Sequence, residues 1–139
     1  MGKTFQRSLI TATFTLLIDF AFHFFLTHPI ETLTYFVLKF LFSFLVATYI
    51  FNSKSFNNRP EKRKIIIPIG GLVFSALASI YYRAWELGEA GVPFGSRAPD
   101  IVGVSRYSFL FPVVWGLGHA LFFIIGAIIA AKLIKGKEV

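Results

Sequence analysis

The chain has no cysteine at any of its 139 positions, and this absence removes a whole group of chemistries. Disulfides, thiolate metal sites, iron–sulfur clusters and cysteine nucleophiles are excluded together. The P-loop, GxGxxG, GxSxG and HExxH patterns are also missing, so ATP hydrolysis, dinucleotide chemistry and serine hydrolysis lack their usual motifs. The sequence therefore favours a protein without enzymatic activity, and it indicates no particular cofactor.

Charge is scarce as well, because only 15% of the residues are charged while 55% are apolar and the mean hydropathy is +0.68. Four windows contain almost no charge, and a helix needs about 20 apolar residues to cross a bilayer. The sequence predicts an all-α integral membrane protein, a single domain over residues 1–139 built as a four-transmembrane-helix bundle of two hairpins. The predicted spans are residues 9–26, 33–51, 65–82 and 109–131.

The segments between these windows complete the predicted organisation. Lys3 and Arg7 precede the first window as in a signal peptide, but no small-residue cleavage pattern follows Leu26, so we expect a retained first span. Residues 83–108 form a long loop between the third and fourth helices, predicted to be external, and helix three could continue through 84–90. Loops of this length within a compact protein are usually functional or disordered.

The basic residues are distributed unequally between the two sides of the predicted topology. The termini and the middle loop, residues 52–64, hold ten basic residues against two acidic ones, whereas the other two loops hold three against four. By the positive-inside rule both termini and the middle loop are predicted to be cytoplasmic, and dual topology is disfavoured.

The net charge of +7 could also indicate a nucleic-acid partner, but the basic residues lie within a few positions of the span ends. Anchoring by contact with anionic lipid accounts for this placement, so nucleic acid is not an expected partner. The strongest candidates for contact with anionic lipid head groups are Arg59, Lys62, Arg63 and Lys64.

Each predicted span carries one face of polar or small residues at helical spacing, opposite a face of Phe, Leu and Ile. Such faces can simply allow close helix packing, or they can line a shared cavity. The stripes are Arg7, Thr11, Thr15, Asp19 and His23 on the first span, Tyr35, Lys39, Ser43 and Ala47 on the second, Gly71, Ser75, Ser79 and Arg83 on the third, and Gly116, His119, Ala120, Gly126 and Ala130 on the fourth.

Asp19 and Lys39 are charged residues inside predicted spans, where each costs about 2.5 to 3.5 kcal/mol on insertion scales. Their distances from the span ends put both about 10 Å below the outer boundary, at a depth that His119 shares. We expect an outward-facing polar cavity that binds or translocates a small solute or lipid head group. Its predicted binding residues are Asp19, His23, Lys39 and His119, with Arg83 or Trp85 closing the mouth.

Other interpretations remain open at this point. Asp19 and Lys39 could form a purely structural salt bridge, or Asp19 could bind a proton or cation that it exchanges with Lys39 or His23. His23 and His119 could instead ligate haem or a metal in a membrane redox protein. The chain could also be an accessory subunit whose buried charges pair with another chain, either in a homo-oligomer or in a larger membrane complex.

Two segments, FTLLIDFAFHFFL at 14–26 and KFLFSFLVATYIFNSKSF at 39–56, resemble the first hairpin of GtrA-like proteins. The resemblance implies a small four-helix protein associated with moving lipid-linked sugars across membranes. It covers 31 of 139 residues, and the Gly-Asn signature that the family has upstream of its Asp is absent here.

Overall fold

The computed structural model describes the backbone of residues 2–26, 33–89 and 110–134. Within these ranges it describes the side chains of 2–18, 21, 36–80 and 116–134. The helices are α1 (Lys3–Leu26), α2 (Leu33–Asn52), the short α3 (Lys54–Asn58), a 3-10 turn (Pro60–Lys62), α4 (Arg63–Glu89) and α5 (Leu110–Leu133).

The described residues contain no strand, so the predicted all-α class is confirmed for this part of the chain. Each predicted window corresponds to one long helix, with differences at the helix ends. The possible continuation of the third helix through 84–90 is confirmed as far as Glu89, where α4 ends, so the loop predicted from residue 83 begins later. Ala84, Trp85, Glu86 and Leu87 are all compatible with a helix. The remainder of that predicted loop, 90–108, lies outside the described residues.

Two helices among the described residues are long and apolar enough to cross a membrane, over Pro60–Ile80 and Gly116–Leu133. The described part of α2, Phe36–Asn52, is also apolar, but it is shorter than either of these two helices.

The four long helices pack side by side in the cyclic order α2, α1, α5, α4. The interfaces of α1 with α2, of α1 with α5 and of α4 with α5 are extensive, whereas α2 and α4 meet over a smaller area. One apolar core lies between them and includes Ala47, Ile50, Phe51, Phe56, Ile67, Phe74, Ala78, Phe123, Ala127 and Ala130.

Glycines allow α5 to approach its two neighbours closely. A Cβ atom on Gly116 would collide with the Ser79 hydroxyl of α4 and lie 2.9 Å from Ser75 Oγ. A Cβ atom on Gly126 would lie 2.7 Å from Cβ of Phe14 and 3.3 Å from Cα of Thr11, both on α1. The small residues predicted on α4 and α5 therefore do permit close helix packing.

The start of α1, the connection between α2 and α4, and the end of α5 lie together at one end of the packed helices. Arg7 contacts both the end of α5 and the rings of the α2–α3 region, which fixes this arrangement. We call this the basic end, because it contains Lys3, Arg7, Lys54, Arg59, Lys62, Arg63, Lys64 and Lys132.

Candidate functional site

The described members of all four stripes lie in the interior of the packed helices. Thr11, Thr15, Ser43 and His119 are fully buried, and Lys39 is only 1% exposed. Ser75 is 9% exposed, and Ser79 is half-buried. Polar groups therefore face inward while the outer surface carries exposed Leu, Ile and Val side chains.

Two hydroxyl contacts fix the register between the antiparallel helices α1 and α2. Thr15 Oγ1 lies 3.1 Å from Ser43 Oγ, and the Thr48 hydroxyl donates to Ser8 Oγ at 2.9 Å. One turn beyond the first contact, away from the basic end, comes position 19 on α1 and position 39 on α2. The backbone of Asp19 is therefore level with that of Lys39.

The contacts of α5 bring His119 to the same level. The rings of Phe14 and Phe122 are 6.2 Å apart, and Gly126 lies against Thr11, so antiparallel continuation puts position 19 within one turn of His119. The His119 ring is also 6.0 Å from the ring of Phe74, which precedes Ser75 on α4. We call the level that holds Asp19, Lys39, Ser75 and His119 the polar layer.

The polar layer lies far from the basic end. Lys39 precedes the last residue of α2 by 13 positions, or about 20 Å along the helix, and follows the first by six, or about 9 Å. Within the polar layer, the ammonium nitrogen of Lys39 is 5.7 Å from the centre of the Phe36 ring, within the range of a cation–π contact.

Four of the predicted site residues are only partly described. Asp19 and His23 belong to α1, and Arg83 and Trp85 belong to the last two turns of α4, but their side chains lie outside the described residues. His23 follows Asp19 by one turn in the direction away from the basic end. For these residues the structure gives the helix and the level, and their predicted roles stay predictions.

The described residues contain no group of three or more His, Cys, Asp or Glu side chains that could hold a metal ion. His23 falls outside that description, so the predicted use of His23 and His119 as haem or metal ligands stays untested.

Arg7 has a structural role that its place in the stripe did not predict. Its Nε and Nη2 donate to the Ile134 carbonyl oxygen at 3.0 and 2.6 Å, and its guanidinium carbon lies 5.7 and 5.6 Å from the ring centres of Phe51 and Phe56. Burial, and secondarily the positive charge of Arg63, lower the pKa of Arg7 from its usual value. One side chain thus joins the ends of α1, α2, α3 and α5.

The predicted head-group residues differ in their surroundings. Arg63 donates from Nε to the Phe56 carbonyl oxygen at 2.9 Å and stacks 4.9 Å from the centre of the Phe56 ring, so part of its binding capacity is used inside the protein. Arg59 and Lys64 are exposed, and Lys62 is half-buried.

The short α3 was not predicted, although Ser53 is a signal in the sequence for its start. Ser53 is its N-cap, with a hydroxyl that accepts a hydrogen bond from the Phe56 amide at 3.1 Å, as Ser before a helical turn often does. Asn57 Nδ2 donates to the Phe51 carbonyl oxygen at 3.0 Å and satisfies the end of α2. These bonds hold Phe56 in the core beneath Arg7 and Arg63.

A groove of about 390 Å³ also lies between α2 and α4, away from the polar layer and towards the basic end. Its lining is almost entirely apolar, so no polar or charged pattern in the sequence indicates this groove. The lining residues are Leu45, Val46, Tyr49, Ile50, Ser53, Ile66, Ile69, Gly70 and Val73.

No protein-family model, curated protein or solved structure matches the chain. The resemblance to GtrA-like proteins therefore depends only on residues 14–26 and 39–56. The described part of the chain is all-helical and includes two helices that are long and apolar enough to cross a membrane.

Proposed function

We propose that the chain is a polytopic membrane protein in which α1, α2, α4 and α5 all span the bilayer as a four-helix bundle. The distribution of polarity supports this proposal. Leu45, Ile69, Leu72 and Leu117 are between 54% and 61% exposed, whereas Lys39 and His119 are buried. A large exposed apolar surface around buried polar groups is the arrangement that lipid favours and water opposes.

The orientation that we propose places the basic end in the cytoplasm, with both termini on that side. The support is the clustering of basic side chains from α1, the α2–α4 connection and α5 at one end of the packed helices. Lysine and arginine are retained preferentially on the cytoplasmic side of membranes, so this end would face inward.

Within that topology, we propose that an outward-facing polar cavity binds or translocates a small solute or a lipid head group. The observation that carries this proposal is the polar layer, where buried Lys39 and His119 lie level with the backbone of Asp19. Ionisable residues inside a membrane are costly and usually mark a binding or transport pathway. Asp19 and Lys39 would bind charged groups, His119 would accept or donate a proton, and Arg83 or Trp85 would close the mouth.

The absence of cysteine makes this cavity directly testable, because a single introduced thiol can be labelled without background. Ser79 is half-buried on α4 beside Gly116, and its neighbour Ile80 is 57% exposed at almost the same depth. Ser79→Cys would face the cavity, and Ile80→Cys would face lipid. Maleimide reacts with a thiolate, which forms in water and not in hydrocarbon.

The expected result in intact cells or oriented vesicles is that a membrane-impermeant maleimide added outside labels Ser79→Cys and leaves Ile80→Cys unlabelled. If Ser79→Cys is no more reactive than Ile80→Cys, the polar layer is sealed. The proposal of an outward-facing cavity would then be wrong, and the interpretation of the chain as an accessory subunit would replace it.

A further inference from the structure

The groove between α2 and α4 is separate from the polar layer and extends towards the basic end. On α4 its lining runs from Ile66 to Val73, about 10 Å along the helix. Ser53 and Ile66 lie at the end nearest the α2–α4 connection, and Leu45 and Val73 lie at the far end. Ser53 uses its hydroxyl as the cap of α3, so the groove offers little polar chemistry to a ligand.

The packing of α2 against α4 explains why space remains there. This interface is smaller than the other three between the long helices. At Gly70 the missing side chain leaves room for Ile50, which occupies the position that a Cβ atom would take. Val46 and Val73 are short side chains on opposite walls. The result is a narrow opening lined by hydrocarbon.

The segment that joins the lining residues of α2 to those of α4 is strongly basic. Arg59 and Lys62 belong to this segment, between the lining residues Ser53 and Ile66, and Glu61 is its one acidic residue. Lys62 precedes Ile66, the first lining residue of α4, by four positions on the helical run Pro60–Ile80. Lys62 therefore lies on the same face of the helix, one turn nearer the basic end. Within the described ranges, the side chains of Arg59, Lys62 and Lys64 make no hydrogen bond or ion pair.

We propose that this groove binds one acyl chain of an anionic glycerophospholipid, with the lipid phosphate held by Arg59 and Lys62. The inference depends on the proposed function in one respect, that α2 and α4 span the bilayer. In that setting the lining lies at acyl-chain depth and the basic residues at phosphate depth. The hydrocarbon lining and the basic residues one turn away match the two parts of such a lipid, an apolar chain and an anionic head group.

Native mass spectrometry with added phosphatidylglycerol or phosphatidylcholine of identical chains measures both parts of the site. The wild-type protein is expected to bind phosphatidylglycerol in preference to phosphatidylcholine. The Val73→Trp variant, whose larger side chain fills the groove, is expected to lose this binding. Leu72→Trp is the matched control, because Leu72 is the neighbouring residue, 57% exposed and outside the lining. Equal lipid binding by the two Trp variants would overturn the acyl-chain site.

The head-group contact is tested with a charge-matched pair of variants. Arg59→Gln with Lys62→Gln is expected to lower affinity for phosphatidylglycerol by about fivefold per charge, with little change for phosphatidylcholine. The control pair, Lys3→Gln with Lys132→Gln, removes two exposed basic residues elsewhere at the basic end. It should change the affinity neither for phosphatidylglycerol nor for phosphatidylcholine. Equal losses from both pairs would show general attraction to anionic lipid and overturn the specific site.

A measurement on the wild-type chain covers the case in which Val73→Trp fails to fold. Phosphatidylglycerol with a photoreactive group on its acyl chain should crosslink to peptides that contain Tyr49 and Val73. Uniform crosslinking over other exposed residues, such as Leu121, would contradict the proposal. Alkaline carbonate extraction tests the membrane-spanning bundle separately from the lipid site. If the chain stays in the membrane but fails the lipid-binding tests, only the lipid site is wrong. If the chain is extracted, the proposed bundle is wrong as well.

Discussion

Arg7, in the second turn of α1, donates two hydrogen bonds to the carbonyl oxygen of Ile134, just beyond the end of α5 and 127 residues later in the chain. The last carbonyls of a helix have no partner within the helix, and a cation there is favourable. The guanidinium also stacks near Phe51 and Phe56, and Arg7 is only 6% exposed. This contact closes the cyclic arrangement of the helices at the basic end.

We expect Arg7→Met to destabilise the protein, because the Ile134 carbonyl would lose a charged donor in a partly buried position. Hydrogen bonds to charged groups contribute about 1.5 to 3 kcal/mol each, and we expect a loss of at least that size in the free energy of unfolding. Arg7→Lys should recover only part of it, because an ammonium cannot form the two-pronged contact or stack on both rings. Thermal unfolding in detergent measures the stability of both Arg7 variants, and Lys3→Met, at an exposed position, is the control. Equal stability of Arg7→Met and Lys3→Met would contradict the stabilising role of Arg7.

The contact between α4 and α5 gives a second prediction. Gly116→Ala should destabilise the protein by about 1 to 3 kcal/mol, the usual cost of overpacking, because its Cβ atom would collide with the Ser79 hydroxyl. Ser79→Gly should restore part of the loss in the double variant, since it removes the obstructing group. Leu117→Ala, at an exposed neighbouring position, controls for general effects of changing α5. Additive losses in the double variant would show that the two residues do not meet.

The sequence was sufficient to predict the four long helices and their inward faces, because helical periodicity separates polar or small residues from Phe, Leu and Ile over many turns. Thr11, Ser43 and His119 are buried as members of those faces. It also indicated the common level of Lys39 and His119, because depth follows from counting residues along helices of known rise.

The groove and the role of Arg7 could not be predicted in the same way. The groove depends on how far apart α2 and α4 pack, a distance that no local pattern encodes. The bond from Arg7 joins two ends of the chain, and nothing near either residue indicates the other. The end of the predicted third span at Tyr82 was too early for a different reason, because the rise in polarity after Tyr82 ends the apolar window without ending the helix, whose possible continuation through 84–90 the sequence did allow.

Topology is a third prediction. Reporter fusions at Asn57 and at Gly95 should report opposite sides of the membrane, with Asn57 in the cytoplasm. The reason is the excess of basic residues at the termini and in residues 52–64, ten against three on the other side. A cytoplasmic signal from the fusion at Gly95 would contradict the proposed orientation.

The register of α1 and α2 leads to a fourth prediction, that Asp19 and Lys39 are energetically coupled. Removing one partner of a buried ion pair leaves the other charge uncompensated and costs about 3 to 5 kcal/mol, whereas removing both can be nearly neutral. Asp19→Asn and Lys39→Met should each lower thermal stability in detergent, and the double variant should recover part of the loss. Thr15→Val with Ser43→Ala, one turn nearer the basic end, is the control for a neutral pair in the same interface. Strictly additive losses would show that the charges act independently.

The fifth prediction concerns His119 and the hydration of the proposed cavity. His119→Phe roughly keeps the ring volume beside Phe74, so the folded yield should stay close to that of wild type. The substitution replaces one polar wall of the proposed cavity with an apolar ring, and a buried water is held only where it has polar partners. External labelling of Ser79→Cys should therefore fall to the level of Ile80→Cys when His119→Phe is added, while His119→Gln, which keeps a polar group, should preserve it. Full labelling in the His119→Phe background would show that His119 does not line the water-filled space, and the proposed binding role of His119 would be wrong even if the cavity itself remained.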